Sequence, residues 1–355
     1  MRREISFRYR LLRGGAYCAL LRAEEGSAPH VRMNDSGDIK SSFTGTFAPT
    51  AFDVDGEPVE IDWLSDEIQP VLVINGTEYP LGVFMPATPK IQNDGVQTLV
   101  QVEAYDRCWR ARDTRSESLI FWPAGTLYLD AVEQLLTASG INAVIKTPSA
   151  AAFSTAREDW DIGTSYLQII NQLLDEISYK PLWFNVAGAA VLEPASMPEP
   201  DAIRHILDAS DPETLVIPGI ERETDIYSAP NVFICTCSNP DKPGLLAATA
   251  VNDNPQSPLS VQRRGRRICT TVSVDNIADL AALQLYANRL RDQSLITGET
   301  VTVSTALQPN WGVQDVAALR YGEVSGICLE RGFEMELAVG GKMRHTLERV
   351  VYQIA

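Results

Sequence analysis

The sequence predicts a mainly β protein with an α+β insert, and three observations carry that prediction. Residues 1–112 alternate apolar and polar positions with the two-residue period of half-buried strands. Residues 113–215 switch to the spacing of amphipathic helices. Residues 216–355 return to strand patterns around one long helix at 276–292. These changes of period set the expected domain boundaries at 112/113 and 215/216.

In the first region, Ile5, Phe7 and Tyr9 alternate with Ser6, Arg8 and Arg10. Val71–Ile74 runs into Asn75-Gly76, whose residues accept the left-handed backbone of a tight hairpin, and Glu78–Leu81 returns. A second turn, Asn93-Asp94-Gly95, separates the stretch ending at Ile91 from Thr98–Tyr105. Several short strands at close spacing predict a barrel or a sandwich.

In the second region, Thr126 is the expected cap of a helix running through Leu129, Val132, Leu135 and Leu136 to a stop at Gly140. Another helix is expected from Thr164 or Ser165, with Tyr166, Ile169, Ile170, Leu173, Leu174 and Ile177 at helical spacing. Lys180–Asn185, a Gly188 turn and Ala190–Pro194 then read as a hairpin, and the proline-rich Pro194–Pro200 marks the exit.

In the third region, strands are expected at Tyr227–Cys237, Arg267–Val274, Thr300–Ser304, Gly326–Leu337 and Leu347–Ile354. The helix at 276–292 should bury Ile277, Leu280, Leu283, Ala287 and Leu290. The stretches from Gly82 to Tyr105 and from Gly326 to Tyr352 share a faint internal likeness, each a strand, a glycine turn and a return strand.

Composition narrows the function. Of 355 residues, 45% are hydrophobic and 21% charged, enough apolar material for a packed core. Thirty Lys and Arg against 46 Asp and Glu leave a net charge of −16, which disfavours general phosphate binding and an anionic membrane surface. The basic N-terminus lacks the continuous apolar stretch of a secretory signal, because Arg8, Arg10, Arg13 and Arg22 interrupt it. The expectation is folding in a cytoplasm without membrane insertion. The six cysteines are scattered, and Cys235-Thr236-Cys237 is their one close pair. Lacking a second pair or a nearby histidine, they read as reduced, buried hydrophobes.

Catalytic patterns are sparse. His30, His205 and His345 lie far apart, and no nucleophile elbow or phosphate-binding glycine loop occurs. No cofactor and no metal are expected. A carboxylate pair can come from anywhere in a chain, so a glycosidase using Glu158 and Asp161, with Trp160 as a sugar platform, is the alternative reading. Two basic features stand out as candidate subunit contacts. Arg263-Arg264-Gly265-Arg266-Arg267 reads as a phosphate contact, as a docking site for an acidic neighbouring subunit, or as a solvated loop before the strand at Ile268. Arg8 and Arg10 either guard a sheet edge or face the acids of partner subunits.

Several segments carry a family resemblance. Ser36–Phe47 (SGDIKSSFTGTF), Trp63-Leu64 with Ile68–Val71, Tyr79–Phe84 (YPLGVF), Glu103–Cys108 (EAYDRC), Trp160–Leu167 with Pro181–Phe184, and Thr224–Phe233 resemble the baseplate hub (tail-tip) proteins of phage and prophage tails and related contractile injection particles. The resemblance implies two tube-like β-barrel domains flanking a small α+β domain. It further implies a homotrimer whose six barrels imitate a six-fold tail tube, joining that tube to a trimeric spike or tip. Expected partners are the tail tube or distal tail protein, the spike or tip protein and the tape measure protein, with DNA only as passing cargo. The implied location is the baseplate or tip of a virion tail, assembled in the bacterial host cytoplasm. Acidic residues lining the bore would repel DNA phosphates.

Overall fold

The computed structural model describes residues 3–93, 95–195, 199–223, 229–237, 246–274, 277, 279–294 and 299–349. The chain divides into two units, one of Met1–Ser196, Thr305–Val313 and Arg331–Arg344, the other of Met197–Ser304, Gln314–Glu330 and His345–Ala355.

The first unit opens with eleven strands: β1 (Ile5–Arg13), β2 (Ala16–Leu21), β3 (His30–Asn34), β4 (Ser41–Phe47), β5 (Ala51–Phe52), β6 (Pro58–Val59), β7 (Glu67–Ile74), β8 (Thr77–Pro80), β9 (Met85–Pro86), β10 (Lys90–Asn93) and β11 (Thr98–Tyr105). The expected hairpin joins β7 to β8, with Asn75 at φ 49° and Gly76 at φ 82°, the positive values that a two-residue turn demands.

Six of these strands close on themselves. β2, β1 and β7 are neighbours in one sheet, and β4, β11 and β9 in another. Two bridges join the sheets, Ala23 to Phe47 and Ile68 to Phe84. The second bridge is reciprocal, with the Ile68 N–H donating to the Phe84 carbonyl at 2.7 Å and the return bond at 2.8 Å. The circuit β1–β2–β4–β11–β9–β7 therefore returns to β1, which settles barrel over sandwich for this part of the chain. Tyr9, Phe43, Phe47 and Phe84 pack together inside it, with ring centroids 5.2–6.1 Å apart.

A second core in the same unit gathers α1 (Cys108–Asp113), α2 (Tyr128–Ala138), β12 (Val144–Lys146), α3 (Tyr166–Glu176), β13 (Trp183–Phe184) and β14 (Ala190–Leu192). Ser165 caps α3, its hydroxyl accepting the Gln168 N–H at 3.2 Å, and Gly140 ends α2 at φ 74°. Thr126 does not cap α2. Its hydroxyl donates to the Pro123 carbonyl at 2.9 Å within the preceding turn, and Leu127 holds the cap position without a side-chain bond. The β13–β14 hairpin forms as expected, while β12 joins it in parallel from 46 residues upstream of β14. Three residues are too few to show a period, so the sequence carries no sign of β12.

Asp106 ties the barrel to this core. Its carboxylate accepts the Ser41 N–H at 2.6 Å and the Cys108 N–H at 2.9 Å, at the starts of β4 and α1. Burial pushes its pKa up to about 6, although those bonds pull the other way. Because the folded value exceeds the unfolded value near 3.8, the contribution is fully present below pH 4 and lost as pH rises through 6. The parent should therefore lose about 3 kcal/mol between pH 4 and pH 7 relative to Asp106→Asn. Urea unfolding across that range checks this, and parallel profiles for the two proteins would refute it.

The rest of the chain forms β15 (Ile203–Asp208), β16 (Val216–Glu223), β17 (Val232–Cys237), β18 (Leu246–Val251), α4 (Val261–Arg264), β19 (Cys269–Val274), α5 (Leu280–Ser294), β20 (Glu299–Ala306), β21 (Val316–Tyr321), β22 (Val324–Glu336) and β23 (Lys342–Arg349); these belong to the second unit except 305–306 of β20, 331–336 of β22 and 342–344 of β23, which fall in the first. β17 is the centre of a three-stranded sheet, antiparallel to β18 and parallel to β19. Cys235 and Cys237 share its buried face, packed under Leu283 and Ala287 of α5. All six cysteines are free, but the expectation of burial holds only for Cys108, Cys235, Cys237 and Cys328: Cys18 is half-buried and Cys269 exposed. Leu280, expected in the α5 stripe, is 52% exposed: it stands at the first helical position with the stripe's spacing but without its cover. Asn276, Tyr227 and the end of the last expected strand, 350–354, lie outside the described residues. Two buried carboxylates here meet basic partners: Glu330 Oε2 lies 2.8 Å from His345 Nδ1, with both side chains fully buried, and Glu299 meets Arg222 and Arg349.

Candidate interaction surfaces

Arg8 and Arg10 sit on the outward face of β1, two residues apart and therefore on one side of the strand. β1 has β2 on one flank and β7 on the other, so these arginines do not guard an edge. The twist of the neighbouring hairpin brings Glu78 of β8 over them, and its carboxylate pairs with both guanidiniums. Arg10 also donates to Gln69 Oε1 at 3.3 Å. Pairing this exposed contributes little stability, roughly 0–1 kcal/mol.

The arginine run occupies α4 and the turn after it. Ser260 caps the helix, its hydroxyl accepting the Arg263 N–H at 3.3 Å. Gly265 ends it at φ 63°, where a side chain would be strained. Arg263, Arg266 and Arg267 are exposed, and Arg264 donates to the Ala229 carbonyl at 2.6 Å. Beneath them lies Asn231, fully buried. Its amide donates to the carbonyls of Leu259 and Arg266 at 3.1 and 3.0 Å, and its oxygen accepts the Ile268 N–H at 2.7 Å. Asn231 thus fixes the backbone that presents the arginines, so the run is a shaped surface rather than a loose loop. Sequence reasoning passed over it, because one asparagine before a strand carries no distinguishing signal.

The acidic stretch Glu158–Asp161 is divided by burial. Trp160 is buried, donates to Gln172 Oε1 at 2.9 Å and meets Trp122 edge-on at 5.6 Å, so its ring is no platform for a sugar. Asp159 pairs with the buried Arg157. Glu158 and Asp161 are exposed, and the Asp161 backbone carbonyl accepts the Thr164 hydroxyl at 2.7 Å. Here the backbone makes the turn into α3, while both carboxylates face solvent.

The three histidines stay apart, each near its own carboxylate: His30 by Glu334, His205 by Asp315 and His345 by Glu330. Among the described residues, no three His, Cys, Asp or Glu side chains gather as a metal site, and no helix is long and apolar enough to cross a membrane. One cleft of about 490 Å³ opens beside the barrel, between Trp63 and Leu64, Met85–Pro89, and Trp109 and Arg110 of α1.

Comparison with known proteins adds the fold's relatives. No family model matches the sequence, and no curated protein matches it. Solved structures do match. The tail protein of Neisseria meningitidis MC58 superposes with a TM-score of 0.70 at 14% identity, covering 97% of each chain. The 43 kDa tail protein of prophage MuSo2 from Shewanella oneidensis gives 0.68 at 12% identity, over 97% of this chain and 99% of that one. The E. coli c3393 protein, a type VI secretion component with structural similarity to the T4 tail proteins gp27 and gp5, gives 0.54 at 9% identity, over 99% and 77%. The chain shares the fold of these tail proteins end to end, as its sequence motifs led us to expect.

Proposed function

From a chain that folds along nearly its whole length as phage tail proteins do, we propose a structural role at the tip of a tail: a baseplate hub that assembles as a homotrimeric ring. The end-to-end fold match to two tail proteins supports this reading most directly. Residues 1–112 and 216–355 act as the two tube-like elements and 113–215 as the insert between them. Three chains then present six such elements and join a hexameric tube to a trimeric spike or tip. Tube or distal tail protein, spike or tip protein and tape measure protein are the neighbours. A closed barrel suits this work, since it has no free edge strands to pair at random and resists deformation under load.

In this assembly the exposed arginines Arg263, Arg266 and Arg267, with Arg264, Arg8 and Arg10, contact neighbouring subunits. Three chains at −16 carry −48, and acids facing the bore keep DNA in passage without adhesion. The protein performs no turnover of its own and resides in the virion tail after assembly in the host cytoplasm. Electron microscopy of the particle tests the proposal. We expect this chain as a three-fold ring on the axis at the end of the tube; another symmetry or an off-axis position would overturn it.

A further inference from the structure

The α+β core carries an outer face that none of the preceding roles uses. Residues 115–122 are strapped along residues 157–165: the Ser116 N–H donates to the Thr164 carbonyl at 3.0 Å, Gly163 returns to Ser116 at 2.8 Å, and Trp122 and Arg157 exchange bonds at 3.0 and 2.8 Å. Between the straps exposure alternates. Ile120 and Trp122 turn inward to the core, so Leu119 and Phe121 stand outward, 66% and 60% exposed. Ile162 on the facing segment is 62% exposed. Large apolar side chains grouped this way mark an interaction surface.

The same two segments carry the exposed carboxylates Glu117, Glu158 and Asp161. The one exposed cation of these segments, Arg115, donates to the Gly163 carbonyl at 2.9 Å. These two linked segments therefore expose large apolar side chains and carboxylates together, a combination that protein interfaces use. The matching charge is on the same sequence: the Asn231-clamped turn presents Arg263, Arg266 and Arg267 in a chain with 16 more acidic than basic residues.

We propose that the Leu119–Phe121–Ile162 face receives the Arg263–Arg267 turn of a second copy of this chain. This rests on the ring reading above and supplies the contact that would build it. Two different but complementary surfaces on one chain make a head-to-tail contact, and such contacts close into rings when the rotation permits. Glu117, Glu158 and Asp161 then pair with arginines across the joint, which explains exposed acids beside exposed hydrophobes without any catalytic role.

Charge reversal tests the contact by sedimentation velocity at low and high salt. One variant carries Glu117→Lys, Glu158→Lys and Asp161→Lys; a second carries Arg263→Glu, Arg266→Glu and Arg267→Glu; a third combines all six. The parent should trimerise, more weakly in high salt. Each single-face variant should lose trimerisation by about tenfold or more in concentration, and the combined variant should regain it. An equimolar mixture of the two single-face variants should associate into open or even-numbered alternating assemblies but form no closed trimeric ring, because an odd ring cannot alternate two kinds of subunit. Leu119→Ser with Phe121→Ser, both solvent-facing and safe for folding, should weaken the trimer without altering its salt dependence. Single-face variants that trimerise like the parent would overturn this contact while leaving the hub reading standing. A parent that never associates in either salt would overturn the contact outright, and the particle itself would then decide the hub reading.

Discussion

Replacing Arg157 with Ala is expected to remove about 3–5 kcal/mol of stability from the first unit, the cost of stripping one partner from a buried ion pair. Arg157 is 2% exposed. Its guanidinium holds Glu176 through two bonds, at 2.7 and 3.1 Å, pairs with Asp159, and lies over Phe153 and Trp160 at 5.2 and 5.0 Å from the ring centroids. Burial would lower its pKa, but the hydrogen bonds and charges of Glu176 and then Asp159 outweigh it and push it up. Alanine leaves the Glu176 carboxylate with only the Tyr128 hydroxyl and the Gln172 amide, at 3.0 and 3.2 Å, and opens a void between two aromatic rings. Combining Arg157→Met with Glu176→Leu should recover most of the loss, since no buried charge then lacks a partner. A loss below about 1 kcal/mol for the alanine variant would show that the network contributes nothing.

Phe43→Ala is expected to cost about 3–5 kcal/mol as well, by cavity formation inside the barrel. Phe43 is fully buried and touches the rings of Tyr9, Phe47 and Phe84, so its loss leaves three aromatic neighbours facing empty space that a closed sheet cannot collapse to fill. Both variants can be followed with one signal. All six tryptophans, Trp63, Trp109, Trp122, Trp160, Trp183 and Trp311, belong to the first unit, so urea unfolding read by tryptophan fluorescence reports that unit selectively. An unchanged midpoint for Phe43→Ala would mean that the barrel interior is repacked in solution.

Particular residues show what was legible before folding. Asn75-Gly76 announced its hairpin because the turn's backbone conformation is a local property, and the start of α3 was legible at Thr164 or Ser165, of which Ser165 is the cap, because a cap acts within one helical turn. The strand identity of Ile5–Arg13 followed from its alternation. Thr126 misled because the same hydroxyl serves a turn as readily as a helix end. The arginines of β1 were visible as charges, yet Glu78, 70 and 68 residues away, which pairs with them, was not.

The candidate surfaces divide in the same way. Their charges were written in the chain: the arginine run, the acids at 158–161 and the net −16. Burial was not. Trp160 reads as a possible sugar platform until Trp122 and Gln172 are seen to enclose it, and that Leu119 and Phe121 stay exposed is settled only where Ile120 and Trp122 take the inward positions. The sequence alone determined element type, turn position and overall charge, because each depends on interactions within a few residues. Barrel closure, the clamp of Asn231 on the arginine turn and the face that stays exposed were decided only by the tertiary structure. Each depends on pairing between segments tens of residues apart, and no local period records which of those segments will meet.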